Sequence, residues 1–179
     1  MGEIVSPRSV VLIIAVSTRH QSALAWAQSA LRAEYGEFFM VSDAFDFDQT
    51  TYYAESMGED LKKQFVAHAQ LVDPSILPDV KRRTNELEDL YREQHDHLEA
   101  RPLNLDPGYI SEGKLILAST KNHSHRIYLR DGIFAEITLH YHKKAWQPRE
   151  WTYPDYKQPE FHAVFDECRR YLRRQYAST

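Results

Sequence analysis

Three side chains in the second half of the chain could carry acid–base chemistry. Glu136 and Asp106 are carboxylates that could act as general acid or base. His125 adds an imidazole, the side chain best suited to proton transfer near neutral pH. We therefore predict a catalytic site built on Glu136, His125 and Asp106, which requires folding to bring them into one pocket.

Cationic, amide and aromatic side chains elsewhere in the sequence indicate an anionic ligand. Lysine and arginine neutralise a phosphate or carboxylate group. The aromatic loop from Trp151 to Tyr156 either plugs the edge of the core or stacks on a flat ligand. The function that we predict is binding of a small anionic molecule, such as a phosphorylated metabolite or a nucleotide. The residues that we expect to bind it are Lys81, Asn85, Asn104, Lys121, Arg126, Tyr153 and Trp151.

Histidines and two aspartates give a weaker indication of a metal ion. Imidazole and carboxylate ligands together suit zinc, iron, nickel or manganese, and aspartates on one strand face can bind a cation. The sequence has no HExxH or similarly spaced signature, so it assigns no metal site and identifies no cofactor. A metal-dependent hydrolase is the third functional alternative, and its candidate ligands are His123, His125, His140, Asp46 and Asp48.

A hairpin near residues 121–142 is predicted to gather several of these side chains on one face of a sheet. Asp131-Gly132 separates two alternating runs, and a two-residue type I′ turn requires positive φ at both positions. Arg130 should then face Ile133. The pairs expected on the polar face are Leu129/Phe134, Ile127/Glu136, His125/Thr138, His123/His140 and Lys121/His142.

The elements that position these residues follow from the hydrophobic pattern. The apolar run from Val10 to Val16 predicts a strand buried on both faces. Thr18 to Gln21 matches a capping box, and the helix that it would begin should end at Gly36. Residues 38–48 predict a second strand, and residues 63–72 predict an extended segment.

Two more core elements and a C-terminal helix complete the predicted fold. Asp73-Pro74 is a typical helix start, and its apolar stripe runs from Leu77 to Tyr91. Leu103 and Leu105 predict a strand that ends at a turn formed by Asp106-Pro107-Gly108. The order of elements is therefore β-α-β-β-α-β. We predict an α+β protein with a ferredoxin-like βαββαβ core, an added β-hairpin and a C-terminal helix.

The polar face of the second helix has two interpretations. Lys81, Asn85, Glu88 and Arg92 share one face, opposite the apolar stripe. Salt bridges along a solvated face would explain the charged residues. A functional site would also explain Asn85, because asparagine has poor helix propensity in the middle of a helix.

Composition excludes several classes of protein. A length of 179 residues fits one domain over residues 1–179, with residues 1–8 as a loose tail. The formal net charge of −4 argues against nucleic-acid binding, and no apolar run approaches the ~20 residues that cross a membrane. We expect a cytoplasmic location, because there is no signal peptide and the single cysteine, Cys168, should lie in the core. Phosphate-binding loops and a GxSxG elbow are absent.

Several motifs, taken in order, resemble one known family. They include Phe45-Asp-Phe-Asp48, Lys114-Leu-Ile-Leu-Ala-Ser-Thr-Lys121, Gly132-Ile-Phe-Ala-Glu-Ile-Thr-Leu139 and Trp151-Thr-Tyr-Pro-Asp-Tyr156. The chain resembles the bacterial domain of unknown function DUF4416 over nearly its whole length. The resemblance implies a small, stand-alone bacterial protein and implies no reaction. The polar positions that match the family pattern are Asp46, Asp48, Tyr52, Tyr53, Lys81, Asn85, Glu88, Asn104, Asp106, Lys121, His125, Arg126, Glu136, Thr138, Trp151, Tyr153 and Asp155.

The main alternative to a ligand-binding site is a non-catalytic interaction module or a homodimer. The acidic N-terminal half and the basic last helix could dock a partner or a second copy. A catalytic site requires Glu136, His125, Lys81 and Asp106 to meet in one concave pocket. An interaction module would scatter these residues and expose an apolar patch instead.

Overall fold

A computed structural model describes residues 2–47 and 54–178, which form nine strands and four α-helices. The strands are β1 Val10–Thr18, β2 Phe38–Val41, β3 Phe45–Asp46, β4 Lys62–Val72, β5 Asn104–Ile110, β6 Lys114–Ser119, β7 Ile127–Arg130, β8 Ile133–His142 and β9 Ala145–Pro148. The helices are α1 Gln21–Tyr35, α2 Ala54–Met57, α3 Leu77–Gln94 and α4 Pro159–Ala177.

One antiparallel sheet contains all nine strands, in the order β2-β4-β1-β5-β6-β8-β7, with β3 beside β4 and β9 beside β8. Helices α1 and α3 pack on one face, where Leu31 and Leu87 belong to the same apolar cluster. Helix α4 packs on the other face through Phe165 and Leu172. The predicted α+β class is therefore confirmed. Within the described ranges, every helix is too short or too polar to cross a membrane.

Strand β1 lies inside the sheet between β4 and β5, which explains its unbroken apolar run. Its side chains alternate between the two cores: Ile13 packs on the α4 side and Ile14 on the α1–α3 side. All nine of its residues are buried. The predicted strand and the end of α1 at Gly36, where φ is 81°, are both confirmed.

The predicted capping box at the start of α1 is wrong. Thr18 is the last residue of β1, and its hydroxyl donates to Pro102 O at 2.6 Å while accepting from His20 N at 3.1 Å. The N-cap of α1 is His20, whose side chain does not cap the helix. The tertiary contact with Pro102 thus occupies the hydroxyl that would have capped Gln21.

Residues 38–47, the described part of the predicted second strand, form two short strands instead of one long strand. Both β2 and β3 pair with β4, and they are separated by a segment that includes Ser42, whose hydroxyl accepts from Phe65 N at 2.9 Å. Phe47 is buried, while Phe45 is half-buried. Asp48, Tyr52 and Tyr53 lie outside the described residues. The extended segment at residues 63–72 is confirmed as part of β4.

Helix α3 begins one turn later than predicted. The Asp73 carboxylate accepts from Ser75 N at 2.8 Å, and this bond caps a 3₁₀ turn over Pro74–Ile76 that leads into α3 at Leu77. The predicted apolar stripe, from Leu77 to Tyr91, is buried. Helix α4 buries Phe161, Phe165 and Leu172, and Cys168 lies in the core as predicted.

The predicted turn at Asp106-Pro107-Gly108 is wrong, because β5 continues through it to Ile110. Pro107 pairs with Ile14 of β1, and the pairs between β5 and β6 begin only at Gly108. Gly108 allows β5 and β6 to approach each other closely, because it has no side chain. A Cβ atom there would lie 2.3 Å from Ile116 O.

The hairpin turn is as predicted, but the register beyond it is wrong. Asp131 and Gly132 have φ of 53° and 76°, and Arg130 faces Ile133. An irregularity between Tyr128 and Arg130 shifts the register, so that Tyr128 faces Phe134, and β7 begins only at Ile127. The predicted pairs on the polar face, from Leu129/Phe134 to Lys121/His142, therefore do not form. Strand β9 pairs with the last residues of β8 instead.

Candidate functional site

A cavity of about 200 Å³ opens at one end of the sheet, on the face that carries α4. Antiparallel pairing brings together here the start of β4, the start of β5, the end of β6 and the first half of β8. The loop before α4 covers it with Tyr153 and Tyr156. The cationic residues that line it are Lys63, Lys81, Arg101, Lys121 and Arg126, and the acidic ones are Asp106, Glu136 and Asp155.

Lys81 and Asp106 form the first of three ion pairs in this cavity. Lys81 belongs to α3, and its ammonium group donates to Leu105 O at 2.9 Å and to Asp106 Oδ1 at 3.3 Å. Asn104 Nδ2 donates to the other carboxylate oxygen at 2.7 Å. Burial raises the pKa of the Asp106 carboxyl, but Lys81, Lys63, Asn104 and Arg101 together outweigh it and hold the pKa below its usual value. Asp106 is therefore ionised at neutral pH.

Glu88 and Arg101 form hydrogen bonds with the residues that flank the Lys81–Asp106 pair. Glu88 Oε1 accepts from Leu105 N at 2.7 Å, and Oε2 accepts from Arg101 Nη2 at 2.9 Å. Arg101 also donates to the side-chain oxygen of Asn104. Burial raises the pKa of the Glu88 carboxyl, and the nearby Lys81 and Arg101 charges only partly oppose this. These bonds fix the Asn104 amide, and hence the orientation of the Asp106 carboxylate.

Arg126 and Glu136 form the second ion pair, and both side chains are almost fully buried. Arg126 Nε donates to Glu136 Oε2 at 2.7 Å, and its terminal nitrogens donate to Ser119 Oγ, Lys121 O and Tyr153 Oη. Glu136 Oε1 accepts from Thr138 Oγ1 at 3.0 Å. Four of the five guanidinium N–H groups are thus used by described residues, and both carboxylate oxygens are engaged. Glu136 holds Arg126 in place and is poorly placed to exchange protons with a ligand.

Lys63 and Asp155 form the third ion pair, which sequence reasoning missed. Lys63 Nζ donates to Asp155 Oδ2 between side chains that are 4% and 5% exposed, and it lies 3.8 Å from the centre of the Phe47 ring. The available signal was Lys63 itself, which shares a strand face with Phe65 and Ala67. A lysine among apolar neighbours on one face requires a buried anionic partner.

A stack of aromatic rings is connected to the cavity through Glu136. His125 stacks on Trp151 with ring centres 5.2 Å apart, and on His123 at 5.7 Å. His125 Nε2 lies 3.3 Å from Glu136 Oε2, although His125 does not line the cavity itself. Tyr153 and Trp151 are about two-fifths exposed, whereas Tyr156 is buried in the core. The aromatic loop therefore plugs the core at one end and stays accessible at the other.

The structure brings most of the predicted site residues together. Seven of them line the cavity: Lys81, Asn104, Asp106, Lys121, Arg126, Glu136 and Tyr153. Asn85 lies outside it, in an adjoining depression of about 380 Å³ that shares Lys81 and Arg101. Lys81 is buried and Glu88 half-buried, so a fully solvated helix face is wrong for these two residues, while Arg92 is exposed.

The predicted metal candidates are not gathered into one site. His140 stacks on His142 and its Nδ1 contacts Gln147 O, and Asp46 forms an exposed ion pair with Lys62. Within residues 2–47 and 54–178, neither these residues nor His123 and His125 belong to a group of three ligands close enough to share an ion. Asp48 lies outside the described residues.

Strand β7 exposes the apolar patch that an interaction module would show. Ile127, Tyr128 and Leu129 are consecutive, and their exposed fractions are 71%, 58% and 39%. The strand stands at one end of the sheet order. The molecule therefore combines a charged cavity with an apolar edge strand.

Fold and site together define an α+β protein in which one antiparallel sheet holds a charged cavity at its end. The chain belongs to the DUF4416 family, a domain of unknown function, whose sequence model matches residues 8–171. Comparisons with curated proteins and with solved structures find no match.

Proposed function

We propose that this protein binds a small anionic metabolite, carrying a phosphate or carboxylate group, in the cavity at the end of the sheet. The observation that carries the proposal is the charge of the lining: among the described residues, five cationic and three acidic side chains surround about 200 Å³. The chain as a whole is acidic, with a net charge of −4. This local excess of positive charge is therefore concentrated at one concave site.

The cavity size supports a compact ligand. Sites for drug-sized molecules usually enclose ~300–1,000 Å³, so about 200 Å³ fits a phosphate or carboxylate group with a few carbon atoms. A nucleotide would fit only with its base outside the cavity. Tyr153, which lines the cavity and is partly exposed, would offer such a base a ring to stack on, whereas the predicted ligand residue Trp151 is partly exposed but does not line the cavity.

The ion pairs support binding more strongly than proton transfer. Glu136 is saturated by Arg126, Thr138 and His125, so its proposed role is to position Arg126. Asp106 also has both carboxylate oxygens engaged, by Lys81 and Asn104, but it is ionised and would accept a proton from a ligand that displaces one of these donors. An enzyme built on this site would use Asp106 as its base, with Lys81 neutralising the charge of the ligand.

Binding assays on three variants test the proposal. The purified full-length protein is titrated calorimetrically with inorganic phosphate, sugar phosphates, mononucleotides and small dicarboxylates at low salt. Lys121→Met should weaken anion binding by about tenfold, because it removes an exposed cation from the mouth. Asp106→Asn should strengthen binding, because it removes a negative charge from the lining. Lys114→Met, at the opposite end of β6, is the matched control and should bind like the parent.

Two results would overturn this function. The first is the absence of heat and of any rise in melting temperature with every anion. The second is equal weakening by Lys121→Met and Lys114→Met, which would indicate a general charge effect instead of a site.

A homodimer is the second candidate, and the exposed apolar residues of β7 favour it. Ile127, Tyr128 and Leu129 stand on a strand at the end of the sheet, where two identical edges could pair antiparallel around a twofold axis. Light scattering of the purified protein measures the oligomeric state, and a monomer at high concentration would eliminate this candidate.

We also propose that β2, β4, β1 and β5 form a ferredoxin-like unit. These strands are neighbours in that order and antiparallel, and α1 and α3 connect them on the same face. The bacterial origin and the cytoplasmic location stay predictions from the sequence.

A further inference from the structure

Two histidines and a glutamate meet outside the cavity, where the segment between α3 and β5 packs against the start of α1. His20 lies between β1 and α1, and His97 and Glu99 lie in that segment. Each offers one ligand atom, and the three atoms are within 4.8 Å of one another. We propose that His20, His97 and Glu99 form a binding site for a divalent transition-metal ion, and that zinc fits it best.

The geometry is close to what zinc requires. His20 Nε2 and Glu99 Oε2 are 3.1 Å apart. Zinc–ligand bonds of ~2.0–2.1 Å place two ligands of a tetrahedron about 3.3 Å apart, so this pair already has the required separation. The rings of His20 and His97 are 4.1 Å apart between centres, and the three ligand atoms lie within 4.8 Å of one another, so a side-chain rotation has to close the remaining distance to the third ligand.

Tyr91 orients the imidazole of His97. His97 Nε2 lies 3.0 Å from the hydroxyl of Tyr91, which is fully buried in α3 and packs against Trp26. If Nε2–H donates to this hydroxyl, Nδ1 carries the lone pair that a metal ion needs. Such an outer hydrogen bond is typical of metal-bound histidines, because it fixes the tautomer and the ring orientation.

The site is accessible and its chemistry is selective. The side chains of His20 and Glu99 are 27% and 11% exposed, so an ion from solution can enter. Three protein ligands leave a fourth position for water. Imidazole ligands favour zinc over magnesium and calcium, which prefer oxygen. Arg19 Nη1 donates to Glu99 Oε1 at 3.1 Å and competes with a metal ion for this carboxylate.

A bound ion would tie the segment after α3 to the start of α1. Arg101 follows Glu99 by two residues, and it donates hydrogen bonds to Glu88 and to Asn104 of the cavity. The metal ion would therefore stabilise the protein by binding only its folded state. This inference does not depend on the ligand of the cavity, because none of the three metal ligands lines it.

Calorimetric titration of the tag-free full-length protein with zinc chloride tests the site, with magnesium chloride as the comparison. We expect one zinc ion per chain and no heat from magnesium. His97→Ala and the near-isosteric Glu99→Gln should each weaken zinc binding by about tenfold or more. Arg19→Gln should strengthen it, because the carboxylate loses its competing partner. His142→Ala, an exposed histidine outside the cluster, should bind like the parent.

Cobalt substitution supplies a second readout, since tetrahedral Co²⁺ shows strong visible absorption that Glu99→Gln should reduce. Circular dichroism establishes that each variant is folded. The proposal is overturned if the parent does not bind zinc, or if His97→Ala and Glu99→Gln bind it as tightly as the parent. Lys121→Met, which tests the cavity, should leave zinc binding unchanged, so failure of one site is distinguishable from failure of the other.

Discussion

Replacing one partner of the Arg126–Glu136 pair should strongly destabilise the protein. Replacing both partners should cost less free energy of unfolding than the sum of the two single replacements. The two side chains are 3% and 1% exposed, and Arg126 Nε lies 2.7 Å from Glu136 Oε2. Removing one partner of a buried pair leaves an uncompensated charge and costs ~3–5 kcal/mol. For Glu136→Gln we expect about 3 kcal/mol, because the amide oxygen can still accept from Arg126, while the amide nitrogen takes the place of the oxygen that accepts from Thr138. At ~2–4 °C per kcal/mol, the melting temperature should fall by roughly 6–12 °C.

Urea denaturation followed by tryptophan fluorescence measures this double-mutant cycle. Arg126→Met should cost ~3–5 kcal/mol, because it strands the Glu136 carboxylate. The double variant removes both charges and should be at least ~1 kcal/mol more stable than the sum of the single effects. Asp46→Asn, which breaks the exposed pair with Lys62, is the control and should cost less than ~1 kcal/mol. Additivity within ~0.5 kcal/mol would refute the coupling that we derive from this pair.

Two further predictions concern the framework of the sheet. Burial lowers the pKa of His68 to about 4, so the unfolded chain takes up this proton first as the pH falls. The free energy of unfolding should then decrease by roughly 3 kcal/mol between about pH 6.5 and pH 4, and His68→Gln should remove this part of the pH dependence in urea titrations. Gly108→Ala should cost ~1–3 kcal/mol because its Cβ would lie 2.3 Å from Ile116 O, whereas Gly113→Ala, with no atom within 4 Å, should leave the urea midpoint nearly unchanged. Equal midpoints for these two glycine variants would contradict the close approach of β5 to β6.

Elements with a strong local pattern were predictable from the sequence. The continuous apolar run of β1 and the apolar stripes of α3 and α4 all appear as expected, because burial on one or both faces imposes a fixed period on the side chains. The Asp131-Gly132 turn was also predictable, since its positive φ values restrict the residue types.

Registers and strand ends were not predictable, because neighbouring strands set them. Pro107 and Gly108 form a turn motif by residue type, yet β5 continues through them between β1 and β6. The hairpin register changes between Arg130 and Tyr128, and β9 pairs with the last residues of β8 in place of residues 121–126. A local pattern contains no information about these partners.

Residue types in the cavity followed from the sequence, whereas their partners followed from the tertiary structure. The sequence alone identified Lys81, Asp106, Arg126 and Glu136 as candidate site residues, because cationic side chains can neutralise an anion and carboxylates can act as acid or base. Only the packing of the segment before α4 against β4 decided that Lys63 would meet Asp155, which is 92 residues away. Contacts at that separation depend on how distant segments pack on the same face of the sheet, and this packing is a property of the whole fold.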